Sequence, residues 1–252
     1  MKKYLENVNS HPRDVHLQFF KDTHTYMVNN VIFYSVTTWV NKLFQDFDKK
    51  KCIERMMTGK YWSTHEFYGK TVNEIEEIWD ERNKNAMSEG IRLHEDIENF
   101  LNKIEVRNNS IEFQYFKNFM TEHHLHVFRT EWQIYDEELK LAGTIDMCSK
   151  NRNGSVNLYD WKRSKSIKRF NNFQFAILPK LEHVMDTNYN HYALQLNFYR
   201  YIIQKQYGLR VENMFIVCFH PMNPNKDYLM YHVPVMDYEM SIITRYIKQE
   251  NK

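Results

Sequence analysis

Asp146, Asp160 and Lys162 are the residues whose types and spacing most directly suggest chemistry. They stand in two apolar, β-favouring runs, Leu141-Ala-Gly-Thr-Ile-Asp-Met-Cys148 and Asn157-Leu-Tyr-Asp-Trp-Lys162, separated by Asn151-Arg-Asn-Gly154. Such punctuation between β-like runs predicts a hairpin. With a three-residue loop, Arg152 to Gly154, and Gly154 in the left-handed position, Asp146 faces Asp160 across the pair. Side chains alternate along a strand, so Lys162 falls on the face of Asp160, one pair further on. Two carboxylates forced together repel unless a cation neutralises them, and oxygen donors suit Mg²⁺ or Mn²⁺. Lys162 would then orient a water or neutralise a phosphate. An isolated Asp-x-Lys is usually a solvated Asp beside a surface Lys, so the pattern needs support from elsewhere in the chain.

That support comes from four further places. Gly90-Ile-Arg-Leu-His94-Glu-Asp-Ile-Glu98 puts His94 and Glu98 one turn apart on a helix. It is not a zincin motif, because the position that would hold the second His is Glu98. Gln195 and Tyr199 share one face of a later helix, and Glu131 begins an apolar run, Glu131-Trp-Gln-Ile-Tyr, ahead of the hairpin. Lys162-Arg-Ser-Lys165-Ser-Ile-Lys168-Arg169-Phe170 places five cations and an aromatic beyond the carboxylates, suited to phosphate contact and base stacking. A solvated basic loop is the plain alternative.

The order His94, Asp146, Asp160-x-Lys162, Gln195-x-x-x-Tyr199 resembles the PD-(D/E)XK nucleases, in their RecB-like exonuclease branch. Tyr34-Ser-Val-Thr-Thr38 after a His-x-Tyr strand is similar to the mitochondrial genome maintenance exonuclease group and its viral relatives. The resemblance implies a metal-dependent deoxyribonuclease, acting as an exonuclease on single-stranded DNA or DNA ends. It implies Mg²⁺, with Mn²⁺ as substitute, held by His94, Asp146, Asp160 and the Trp161 carbonyl, with Glu131 as a further candidate. Lys162, Gln195 and Tyr199 complete the catalytic set; Ser35, Thr37, Thr38, Arg163, Lys165, Lys168 and Arg169 are the candidate nucleic-acid contacts. Asp160 stands where Glu is commoner, and Ile145 where a proline often precedes the first Asp. Relatives with an iron–sulfur cluster carry four cysteines; Cys52, Cys148 and Cys218 do not supply one. Two other readings stay open: a catalytically silent DNA-binding or recombination-accessory module, and an RNA endonuclease of the cap-snatching type.

The elements that must position these residues follow from the pattern. Val15–Phe20, His24–Val28 and Val31–Tyr34 read as short strands, with Asn29-Asn30 a type I′ turn signal. Ser35 or Thr37 caps a helix with Val36, Trp39, Val40 and Leu43 inside, and the free amides at its start suit a phosphate. Asp48 to Met57 reads as a short helix. Thr71-Val-Asn-Glu74 is a capping box opening a helix whose apolar spacing runs on to Leu101. Ile111 to His124 and Asn190 to Tyr207 are helices, Met214–Phe219 and Asp227–Val233 strands, and Asp237–Lys248 a closing helix. The expected fold is α+β: a restriction-endonuclease-like core of mixed sheet flanked by helices, with a small N-terminal sheet and helical region. The chain reads as one nuclease domain, with 1–70 a DNA-binding region and 71–252 the core.

Composition narrows the classes. A net charge of +2 excludes a globally basic binder and leaves local basic patches as the route to nucleic acid. An aromatic fraction of 15% with 6 Gly argues against disorder. Scattered cysteines fit neither a disulfide framework nor a CxxC zinc site, and His123, His124 and His126 read as surface. With no bilayer-length apolar run and no signal-like start, the expectation is a soluble intracellular protein with no membrane partner.

Overall fold

The computed structural model describes residues 3–251. A short helix, α1 (Tyr4–Val8), leads through a 3₁₀ turn at Pro12–His16 into three antiparallel strands, β1 (Leu17–Phe20), β2 (Thr25–Val28) and β3 (Val31–Ser35). Val15 and His16 belong to that turn rather than to the first strand, since Pro12 starts a helical turn capped by His11 and Asp14. Asn29 and Asn30 both take positive φ, as a type I′ turn requires. Helices α2 (Val36–Lys42), α3 (Lys49–Met57), α4 (Val72–Leu101) and α5 (Ile111–His123) follow. Ser35 caps α2, and Thr71 and Glu74 close the capping box of the 30-residue α4. The rest is β4 (Val127–Asp136), β5 (Leu141–Lys150), β6 (Val156–Lys162), α6 (Asn188–Gln206), β7 (Val211–Cys218), β8 (Leu229–His232) and α7 (Asp237–Glu250).

The strands make one mixed sheet of order β1-β2-β3-β5-β6-β7-β8, with β4 paired to β5; β3–β5 and β6–β7 are parallel and the other pairs antiparallel. The fold is therefore α+β with a central mixed sheet flanked by helices. The larger core cluster joins the sheet to α2, α6 and α7, and a second joins it to α5 and the end of α4. Packing both faces is what leaves β6 buried from Val156 to Trp161, polar Asn157 and Asp160 included.

Strand β5 changes partner along its length. On the edge away from β4 it pairs with β3 at Leu141 and Ala142, and with β6 only from Met147 to Lys150. Gly143 to Asp146 thus have no strand on that edge, and side chains from elsewhere enter the gap. The β5–β6 turn takes the expected form, with the Asn151 amide donating to Ser155 and Gly154 at φ +82°. Continued one residue past Met147–Tyr159, this register sets Asp146 opposite Asp160 at the point where the two strands part.

Candidate metal centre

Three side chains from three elements meet at the parting of β5 and β6: His94 from α4, Glu131 from β4 and Asp146 from β5. A ligand atom from each lies within 4.8 Å of the other two. His94 Nδ1 is 3.6 Å from Glu131 Oε1 and 3.7 Å from Asp146 Oδ1, and its Nε2 is 3.0 Å from the Trp161 carbonyl oxygen. One imidazole nitrogen and two carboxylates are a donor set for a divalent cation, and these three fit one.

Local backbone explains the arrangement. Glu131 sits within β4 at φ +43°, a left-handed conformation that costs a residue with a Cβ of the order of 1 kcal/mol. Its neighbours Thr130 and Trp132 stay paired to Met147 and Ile145, so the strand continues while Glu131 alone is turned. Asp146 Oδ2 accepts from the Trp161 amide at 2.6 Å, replacing the strand rung that ends at Met147.

Asp160 is placed differently. It is 1% exposed; its Oδ2 is 2.7 Å from the Lys162 ammonium, and its Oδ1 accepts from Gln195 Nε2 at 3.1 Å. The same Gln195 nitrogen is 3.1 Å from the Tyr199 hydroxyl. The structure thus brings His94, Glu131 and Asp146 into one group, and Asp160, Lys162, Gln195 and Tyr199 into an adjoining chain. Tyr199 enters the gap beside β5, where a Cβ on Gly143 would stand 2.5 Å from its ring. From the N-terminal sheet, the Tyr26 hydroxyl bonds Thr144 Oγ1 at 2.9 Å in the same gap.

The electrostatics are those of a crowded anionic centre. Burial pushes the Asp160 carboxyl up to about 6, against the pull of Lys162 and with repulsion from Asp146. Asp146 is raised by burial and by Glu131, opposed by His94 and Lys162. Burial alone would lower His94, but Asp146 and Glu131 outweigh it and carry it up to about 9. Lys162, despite burial, is held at about 12 by Asp160 and Asp146. The carboxylates around His94 thus favour positive charge at this point.

The centre opens into a cleft of about 1010 Å³. The β1–β2 tip contributes Phe19, Lys21 and His24 to one wall, and α4 contributes Met87 and Ile91. Tyr192 also lines it, its ring centre 4.5 Å from the Lys162 nitrogen. Sequence reasoning passed over Tyr192, although it precedes Gln195 and Tyr199 at i and i+3, i+7 spacing on one helix face.

The seven candidate nucleic-acid contacts scatter. Ser35 is buried as the cap of α2, with Thr37 and Thr38 exposed beside it; none of the three lines the cleft. Arg163 lines the cleft, but its guanidinium is engaged by Glu112 at 2.7 Å and Glu89 at 2.8 Å. Lys165, Lys168 and Arg169 are exposed on the segment after β6, with Arg169 over the Tyr189 ring at 4.7 Å.

No protein-family model matches the sequence, and no curated protein does. Among solved structures, an alkaline exonuclease from Laribacter hongkongensis aligns over 86% of this chain and 84% of its own, with a TM-score of 0.44 and 10% identity. The protein SSO0001 aligns over 87% and 75%, with a TM-score of 0.35 and 12% identity. No helix among the described residues is long and apolar enough to cross a membrane.

Proposed function

We propose that this chain is a metal-dependent nuclease that hydrolyses phosphodiester bonds in DNA, acting as an exonuclease on single strands or ends. The observation that carries the reading is the meeting of His94, Glu131 and Asp146 beside the Lys162–Asp160 pair, at the base of a cleft with cations and aromatic rings on its walls. A binding module needs phosphate contacts but no clustered, half-buried carboxylates, which only destabilise it.

His94 Nδ1, Glu131 and Asp146 would hold Mg²⁺, while the Trp161 carbonyl, expected as a further donor, lies instead at the far nitrogen of His94, where it accepts from Nε2 and orients the ring. Bound there, the cation would supply charge to the scissile phosphate and acidity to a water. Lys162, at about 12, stays charged at neutral pH; it serves as a fixed positive charge toward the phosphate rather than as a base. Asp160, Gln195 and Tyr199 fix that ammonium in place, and Asp160 stands next to the centre as its reserve carboxylate. Lys165, Lys168 and Arg169 offer phosphate contacts on the way out. Residues 1–70 act as a DNA-binding region on the core, residues 71–252; Phe19, Lys21 and His24 lie where DNA would pass.

The test is incubation of purified protein with labelled single- and double-stranded DNA and RNA, with Mg²⁺, Mn²⁺ or EDTA. We expect metal-dependent loss of DNA, abolished by EDTA and reduced at least 100-fold, roughly, in Lys162→Ala and Asp146→Asn. Undiminished cleavage by both variants would sink the mechanism. DNA binding without cleavage would favour the silent module, and cleavage confined to RNA the cap-snatching type.

A further inference from the structure

A second hollow, of about 750 Å³, opens beside the first between the segment after β6 and the start of α6. Tyr192 lines both, so the hollow begins one side chain away from the Lys162 ammonium. Its rim has a fixed shape. Asn188 Nδ2 donates to the Ser166 carbonyl at 2.9 Å, Asn171 Nδ2 to the Asp186 carbonyl at 2.8 Å, and His191 Nε2 lies 2.8 Å from Asp186 Oδ1. Phe44 stacks on the His191 ring from behind at 4.1 Å. On this rim Phe170 and Phe173 are 79% and 92% exposed, beside Lys168. Two aromatic rings left in water next to a cation, on a braced segment adjoining a phosphate-directed centre, match the needs of a nucleobase and its phosphate.

We propose that this hollow seats the base of the nucleotide adjoining the cut phosphate, stacked on Phe170 or Phe173. Tyr192 is the partition between that base and the scissile group, and Lys168 meets the next phosphate. The inference rests on the nuclease reading and deepens it: the strand must be unpaired at this position, because a base inside a duplex stack cannot reach a side hollow.

The probe is an oligo-dT carrying one 2-aminopurine, moved stepwise along the strand and bound to the full chain in EDTA. Fluorescence should be quenched at one position, and that position should adjoin the bond cut when Mn²⁺ is added. Phe170→Ala/Phe173→Ala should restore the fluorescence there and weaken oligonucleotide binding roughly fivefold or more. Both rings are exposed, so the double variant should keep the wild-type melting temperature. An oligo-dT with an abasic unit at the quenched position should bind wild type as weakly as the intact strand binds the variant, and the variant should not distinguish the two. Quenching that ignores the variant, or an abasic strand that binds wild type like the intact one, overturns the proposal. A wild-type protein that cuts no DNA overturns the nuclease reading instead, since the quenching is read without metal.

Discussion

Asp160 shows what the proposed chemistry costs at the scale of a residue. Its carboxylate is 1% exposed and remains ill at ease despite the Lys162 ammonium at 2.7 Å, since burial and Asp146 together carry it from an ordinary 3.8 up to about 6. A raised folded-state value means that the protonated form is the one the fold favours. That contribution to stability is fully present below about pH 4 and is lost as pH rises through about 6. Asp160→Asn removes the charge and keeps an acceptor toward Gln195, but it turns an amide nitrogen toward the Lys162 ammonium and so carries a pH-independent cost of its own. In metal-free protein the stability of the variant relative to wild type should therefore rise by about 1 to 3 kcal/mol between about pH 4 and pH 7, while cleavage is lost. Urea unfolding of both proteins across that range in EDTA measures it; a difference between them that does not change with pH would show that the carboxylate is not strained as described. Glu131 carries the same message in its backbone, a left-handed residue inside a strand whose side chain reaches His94 and Asp146.

At the scale of elements, the site exists because β5 leaves β3 at Ala142 and meets β6 only at Met147. The gap is filled from α6, and Gly143 is the residue that permits it, with Tyr199 packed where a Cβ would be. Gly143→Ala must displace that ring by an ångström or so and break the chain from Tyr199 through Gln195 to Asp160. We expect destabilisation of about 1 to 3 kcal/mol and loss of cleavage. Gly143→Ala/Tyr199→Ala should cost less than the sum of its parts, because the two share one contact. Additive melting shifts in that cycle would refute the coupling. Much of this region is legible in sequence, because it is local: Asn151 to Gly154 dictates the turn, the turn dictates the register, and the register brings Asp146 and Asp160 together. The caps at Ser35 and at Thr71 with Glu74 are equally local. Tertiary effects are not legible. Nothing in the residue types announces that Glu131 turns left-handed, that Asp160 is taken up by Lys162 and Gln195, or that Glu89 and Glu112 claim Arg163. The irregular segment between β6 and α6 has no period to read and owes its course to side-chain bonds such as Asn171 and Asn188 to backbone carbonyls.

The molecule as a whole holds cores of unequal standing. The main clusters grip the sheet from both faces, whereas Ile53, Phe67 and Ile75 form a cluster of their own from α3, the connection after it and the first turns of α4. Between that cluster and Leu93, where α4 rejoins the core, every residue from Asp80 to Glu89 is exposed. The ion pairs on this stretch are Lys49 with Asp80, Arg82 with Glu66, and Glu89 with Arg163; the first two are on the surface and add little, and the third ties only the last residue of the stretch to the core. A small cluster joined to the rest by a bare stretch of helix should open by itself, at a lower free energy than the sheet. Hydrogen exchange should therefore show amides of α3 and the start of α4 far less protected than those of β5 and β6. Ile53→Ala, which empties a fully buried site, should abolish the protection of α3 and leave β5 unchanged, whereas Ile145→Ala should lower the protection of the entire sheet. Equal loss of protection in β5 from both variants would mean that the chain unfolds as one unit, and that the His94 end of α4 is coupled to α3 through the exposed stretch between them.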